Sequence, residues 1–155
     1  MTPSIQQLEQ ETNTTIPNSY QQVLHSFENI LLIETANGDE VDFLSLQKLF
    51  QPYDKQHKRY QMVQVFMEDY FQRIQTTTLF NRDTATEIEG KDFFNNLYFA
   101  SLGDDSALFF HLKDWSIWEF WHDDKSIAKL ANSLDEFLEN SENIVKDDWS
   151  KFLNE

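Results

Sequence analysis

Residues Leu97–Glu139 read LYFASLGDDSALFFHLKDWSIWEFWHDDKSIAKLANSLDEFLE, and the order of elements in this stretch decides the fold. Leu97–Ser101 is an apolar run that enters Leu102-Gly103-Asp104-Asp105, a turn sequence. Ser106–Leu112 and Trp115–Trp121 are rich in aromatic and branched residues, as strands are, with Lys113-Asp114 between them. Alternation puts Trp115, Ile117, Glu119 and Trp121 on one face of the second run. Ser116, Trp118, Phe120 and His122 take the other. Bulk on both faces predicts a strand inside a sheet, covered over most of both sides. An aromatic face left open would be a contact surface. An extended connection follows, and then a helix start. Ser133 can cap it, Glu136 three residues on makes a capping box, and Leu134, Phe137 and Leu138 form an apolar face.

Upstream, Ser4–Thr12 reads as a short helix with Thr2 as cap, Pro3 at its first position, and Ile5 and Leu8 inside. Asn13-Thr14-Thr15 ends it. A second helix begins near Pro17 and buries Tyr20, Val23, Leu24 and Phe27, with Ile16 stapled against it. Ile30–Thr35 and Val41–Phe43 flank Asn37-Gly38, a hairpin signal. Leu44, Leu46, Leu49 and Phe50 suggest a helical turn that stops before Pro52, and Gln51–Lys58 a loop. Arg59–Gln75 carries Tyr60, Val63, Met67, Tyr70, Phe71 and Ile74 near the helical period, although Met62–Phe66 also fits a strand. Thr76–Gly90 reads as a loop with at most one short strand.

Downstream, Asn140–Asn143 is a break, and Trp149, Phe152 and Leu153 share one face of a final helix. Residues 140–155 are therefore expected to be a helical extension of a single domain spanning 1–155. Helices, a hairpin, a helix, a run of strands and more helices make an α+β pattern: a mixed or antiparallel sheet with helices packed against it.

Composition narrows the chemistry. With 155 residues, 14 Phe and 4 Trp, the chain has enough apolar bulk for a real core. There is no Cys, which removes disulfides, thiolate metal sites and Cys nucleophiles. Three Gly leave no room for a Gly-rich phosphate loop. No apolar run approaches the roughly 18 residues of a spanning helix, and the first residues lack the pattern of a secretory signal. A cytoplasmic protein with no membrane contact is expected. The formal charge is −15, and only Lys55, Lys58 and Arg59 form a small basic cluster, which argues against direct binding of nucleic acid. Such acidity either serves solubility or steers the protein toward a basic protein partner.

Candidate sites are few. His122-Asp123-Asp124 could hold a metal, but adjacent strand residues point to opposite faces, so a solvated turn is the better reading. His111 sits in an apolar strand with no nucleophile motif beside it, which favours a core or cross-strand histidine. Asp104/Asp105 and Asp123/Asp124 could do acid–base work, yet adjacent acids in turns are ordinarily solvated. Trp115, Trp118 and Trp121 could stack on a sugar or base, and core packing accounts for at least two of them. No H-E-x-x-H, G-x-S-x-G or P-loop pattern occurs. The expectation is no catalytic residue, no cofactor and no metal. The candidate contacts for a protein partner are Asp104 and Asp105 in the central turn, Asp114 between the strands, and Asp123 and Asp124 at the strand exit. Asp39, Glu40 and Asp42 on the hairpin form a second patch, and Glu119 joins the set from within its strand.

Three ordered patterns carry a resemblance. They are Ile5-x-x-Leu8-Glu9 followed by Ile16-Pro17-Asn18-Ser19-Tyr20-x-x-Val23-Leu24; Leu97–Asp105 followed by Leu108–Leu112; and Ile127–Leu138. They resemble, in order, the opening helix and Leu-Pro-x-x-Tyr helix start, the Gly/Asp turn between core strands, and the strand into a Ser-Phe-x-x-Phe-Leu helix of the SUKH superfamily, the Smi/Knr-type domain. The chain departs from the pattern at His25–Asn29, where a Gly-containing turn is common, and in the central turn, which has one Gly where two or three are common. Leu32–Lys91 matches least. The resemblance implies a mixed sheet with packed helices, no catalytic centre and a protein partner. In bacteria many such domains are immunity proteins that bind and silence a cognate toxin, and fungal relatives regulate cell-wall synthesis. Immunity against a basic toxin domain such as a nuclease is thus the leading expectation, and a regulatory scaffold or adaptor for a housekeeping partner is the alternative.

Overall fold

The computed structural model describes residues 4–50, 78–93, 96–103 and 106–146. In chain order these form helices α1 (Ile5–Thr12) and α2 (Asn18–His25), strands β1 (Leu31–Glu34) and β2 (Glu40–Phe43), and helix α3 (Leu46–Leu49). Next come β3 (Thr78–Asn81), β4 (Thr86–Glu89), a 3-10 turn at Gly90–Phe93, β5 (Asn96–Gly103), β6 (Ser106–His111), β7 (Ile117–Trp121) and β8 (Ser126–Ala131). Helix α4 (Leu134–Glu139) and β9 (Glu142–Lys146) complete the described chain. The nine strands make one sheet in the order β4-β3-β8-β7-β6-β5-β2-β1-β9. Every pairing is antiparallel except β3 with β8, so the sheet is mixed and the single domain is α+β.

The quoted stretch supplies the centre. β6 lies between β5 and β7, with Leu97 opposite Phe110 and Phe110 opposite Ile117. Leu108, Phe110 and Ile117 join Leu8, Ile16, Tyr20, Leu24, Leu134 and Phe137 in one core, so the helices cover this face. Ala107, Phe109 and Phe120, on the opposite face, are 0% exposed, and the expectation of a strand run covered on both sides holds. Phe99 and Phe110 stack at 3.9 Å and 21° at the middle of the core.

Local chemistry sets the element ends, with some changes from expectation. Ser4, not Thr2, caps α1: its hydroxyl accepts from Gln7 N–H at 3.2 Å, and Gln7 returns an acceptor to Ser4 N–H at 2.8 Å. Asn13 ends the helix in the left-handed region at φ 54. Ser133 caps α4 through Glu136 N–H, while the Glu136 carboxylate reaches back to Asn132 N–H, one residue earlier than a capping box places it. Trp115 is a turn residue at φ 60, held by a 2.7 Å bond from its N–H to His111 C=O, and the strand starts at Ile117.

The strands differ from expectation in two places. β3 and β4 form a hairpin inside Thr76–Gly90, where at most one strand was anticipated. The extended connection before α4 is β8, as the family resemblance implied. Glu142–Lys146, which begins within the expected break at Asn140–Asn143, is β9, which pairs with β1. The expected loop at 51–58, the expected helix at 59–75 and the expected final helix around Trp149 lie outside the described residues.

Tyr20 is fully buried against Phe110 at 4.7 Å, and its hydroxyl has no hydrogen-bond partner among the described residues. Burial pushes the phenol pKa far up, so the group stays neutral. An unsatisfied buried polar group costs about 1–3 kcal/mol, so Tyr20→Phe is expected to leave stability unchanged or raise it by about 1 kcal/mol. Urea melts at constant m-value read this directly. A loss beyond about 1 kcal/mol would mean that the hydroxyl is bonded.

A candidate partner-binding surface at one end of the sheet

Successive antiparallel strands put alternate connections at the same end of a sheet. Asp42 faces Ser101 and Gly103 faces Ser106, so the β1–β2 turn and the facing ends of β5 and β6 lie together. Ala107 faces Phe120 and Trp121 faces Ser126, which brings the β7–β8 turn to the same end. Asp39, Glu40, Asp123 and Asp124 therefore share one end. Asp104 and Asp105 themselves lie outside the described residues. From the strand order, the two described turns are four strand spacings apart, about 19 Å. Asp114, in the β6–β7 turn, is at the opposite end and does not join them.

The acids at this end are held by local bonds. In the hairpin, Thr35 N–H donates to Asp39 C=O and Gly38 N–H to Thr35 C=O, both at 2.9 Å. Gly38 takes φ 85, which a side chain would strain. Glu40 is exposed and Asp39 half-buried. Asp42 is half-buried within β2, and its Oδ1 is buried without a hydrogen bond among the described residues. In the β7–β8 turn Asp123 and Asp124 are exposed. Asp123 Oδ1 lies 3.1 Å from His122 Nε2, and Asp124 accepts from the Ser126 hydroxyl.

Glu119 is different. It stands in β7 opposite Leu108 and Ala128, so it faces the helical side, and it is only 8% exposed. It lines a cleft of about 190 Å³ whose walls include Thr35, Asn37, Asp39, Leu102, Leu130 and Phe137. Its Oε1 pairs with the guanidinium of Arg82, from the β3–β4 turn. Two bonds to β8 set Arg82 there: its N–H donates to Ile127 C=O, and the Asp83 carboxylate accepts from Lys129 N–H. The β8 residue opposite Glu119 is Ala128, whose small side chain leaves room for the guanidinium to cross.

Comparison with protein-family models matches residues 3–140 to the SMI1 / KNR4 family (SUKH-1). The chain belongs to that family. No curated protein and no solved structure matches it.

In this SUKH-1 chain the remaining candidates have structural explanations. His111 ends β6 half-buried, and its Nδ1 accepts from Lys113 N–H at 3.1 Å, which shapes the turn. Asp114 accepts from the Ser116 hydroxyl at 2.7 Å and from Ser116 N–H at 3.0 Å. Burial alone would raise its pKa, but these bonds, with the nearby His111 and Lys129, outweigh it and hold the carboxyl below its usual value. Among the described residues no three His, Asp or Glu side chains cluster as a metal site. No helix among them is long and apolar enough to cross a membrane. The three tryptophans are all partly buried, and Trp115 packs against the core. Trp115 packs on Phe110 at 5.1 Å, and Trp118 donates its indole N–H to the Ser116 hydroxyl at 2.9 Å. Arg82 was not foreseen at all, because nothing in the polar run around it points to an acid 37 residues away.

Proposed function

We propose that this SUKH-1 protein is a non-catalytic, cytoplasmic immunity protein that binds and neutralises a cognate bacterial toxin, with the acids at one end of its sheet as the contact. The supporting observation is the gathering of the β1–β2 and β7–β8 turns, with Asp39, Glu40, Asp123 and Asp124, on one rigid edge. The proposed set also includes Asp104 and Asp105, and Asp42 and Glu119 lie behind the edge. A toxin that cuts nucleic acid needs a basic cleft, and an acidic rim of this span can occlude one. Asp114 contributes least, because it sits at the other end.

The test reads the neighbouring open reading frames for a toxin domain and uses that domain in cells for protection and in vitro for kinetics. Glu40→Lys and Asp123→Lys/Asp124→Lys are expected to slow association several-fold. Raising salt should do the same to the unmodified protein, because the Debye length falls from about 10 Å at 0.1 M to about 3 Å at 1 M. Mutated rim charges act mainly on the association rate. A rate unchanged by salt and by both reversals would show that the acidity serves solubility. Protection absent altogether would favour a regulatory scaffold with a different partner.

A further inference from the structure

We infer that the Glu119 cleft is a socket for one arginine side chain of the protein partner. This deepens the partner-binding reading and rests on it for the identity of the partner. Three observations carry the inference. The cleft is about 190 Å³, below the roughly 300–1,000 Å³ of small-molecule sites, and so fits a group of side-chain size. Its lining is divided: Leu102, Leu108, Leu130 and Phe137 offer an apolar bed, while Asp39 and Glu119 offer charge. An arginine matches that division, with an aliphatic stem for the bed and a planar fork of donors for the carboxylates.

The charge count selects a cation. Among the described residues, Asp39 and Glu119 are the charged residues of the lining, and both are acidic. Arg82 pairs with one oxygen of Glu119. Two carboxylates against one guanidinium leave a single negative charge for the incoming group to balance. Arg82 also holds Glu119 in place at the wall of the cleft. The socket opens beside the hairpin turn that carries Asp39 and Glu40, so a basic partner meeting the acidic end has the socket within reach.

The experiment follows backbone amide shifts of the full chain on titration with N-acetyl-arginine amide, and with the citrulline analogue, which lacks the charge. Saturable shifts confined to residues such as Asn37, Asp39, Leu102 and Asn140, seen with arginine and not with citrulline, support the socket. They should disappear in Ala36→Trp, an exposed wall position where a large ring overhangs the cleft, and weaken in Asp39→Asn. Equal shifts with citrulline, shifts scattered over all exposed acids, or none at all would overturn it. So would an equal response to the lysine analogue, which would show a site for any cation. With the toxin domain, Ala36→Trp is expected to weaken binding by roughly tenfold or more, the scale of losing one buried anchor. Tight toxin binding that survives Ala36→Trp ends the socket and leaves the immunity reading standing. Arginine binding without any toxin complex does the reverse.

Discussion

Phe110→Ala is expected to destabilise the protein by about 3–5 kcal/mol, the usual cost of emptying an aromatic core site. Phe110 sits in β6, near the middle of the sheet, at 1% exposure. Its ring stacks on Phe99 at 3.9 Å and meets Tyr20 at 4.7 Å and Trp115 at 5.1 Å. These neighbours come from β5, α2 and the β6–β7 turn, so they cannot collapse together into the space left behind. The measurement is a denaturant melt at constant m-value, in which a changed midpoint reports stability alone. A shift below about 1 kcal/mol would show that the cavity closes, and that the aromatic cluster is softer than its geometry implies.

Breaking the Arg82–Glu119 pair from either side has the second large expected effect. Removing one partner of a fully buried pair costs about 3–5 kcal/mol, because the other charge is stranded. Here the Arg82 side chain is 37% exposed, so water screens part of that loss. Arg82→Ala is therefore expected to cost about 1–3 kcal/mol. Arg82→Ala combined with Glu119→Gln should recover part of it, since no ionised group then stays behind. The double-mutant cycle gives the coupling energy directly. Additive losses would mean that Arg82 acts through the backbone bonds of its turn. The pair also joins the β3–β4 hairpin to β7, which it does not otherwise touch in the strand order. Proteolysis or amide exchange in Thr86–Glu89 should accordingly rise in Arg82→Ala before it rises in β6.

Short-range chemistry made much of this protein legible. The helix starts are written in Ser133 and Pro17, the hairpin in Asn37-Gly38, and the central strands in the aromatic runs around Phe99, Phe110 and Phe120. Each rests on a capping bond, a turn preference or a spacing of two to four residues, and so survives being read without its neighbours. The acids of the candidate surface were also legible as loop residues. What tertiary structure alone decided was how these pieces meet. The β3–β4 hairpin is short and polar, and becomes strand because Phe80 and Asn81 pair with Ser126 and Ile127 of β8. β9 exists because β1 offers it an edge. Asp123 belongs with Asp39 and Asp114 does not, because strand order fixes which turns share an end. Glu119 is a buried, paired acid because Arg82 reaches it from 37 positions away. Such contacts depend on residues distant in sequence, and their free energy is gained only once the intervening chain is folded and the two charges leave water together.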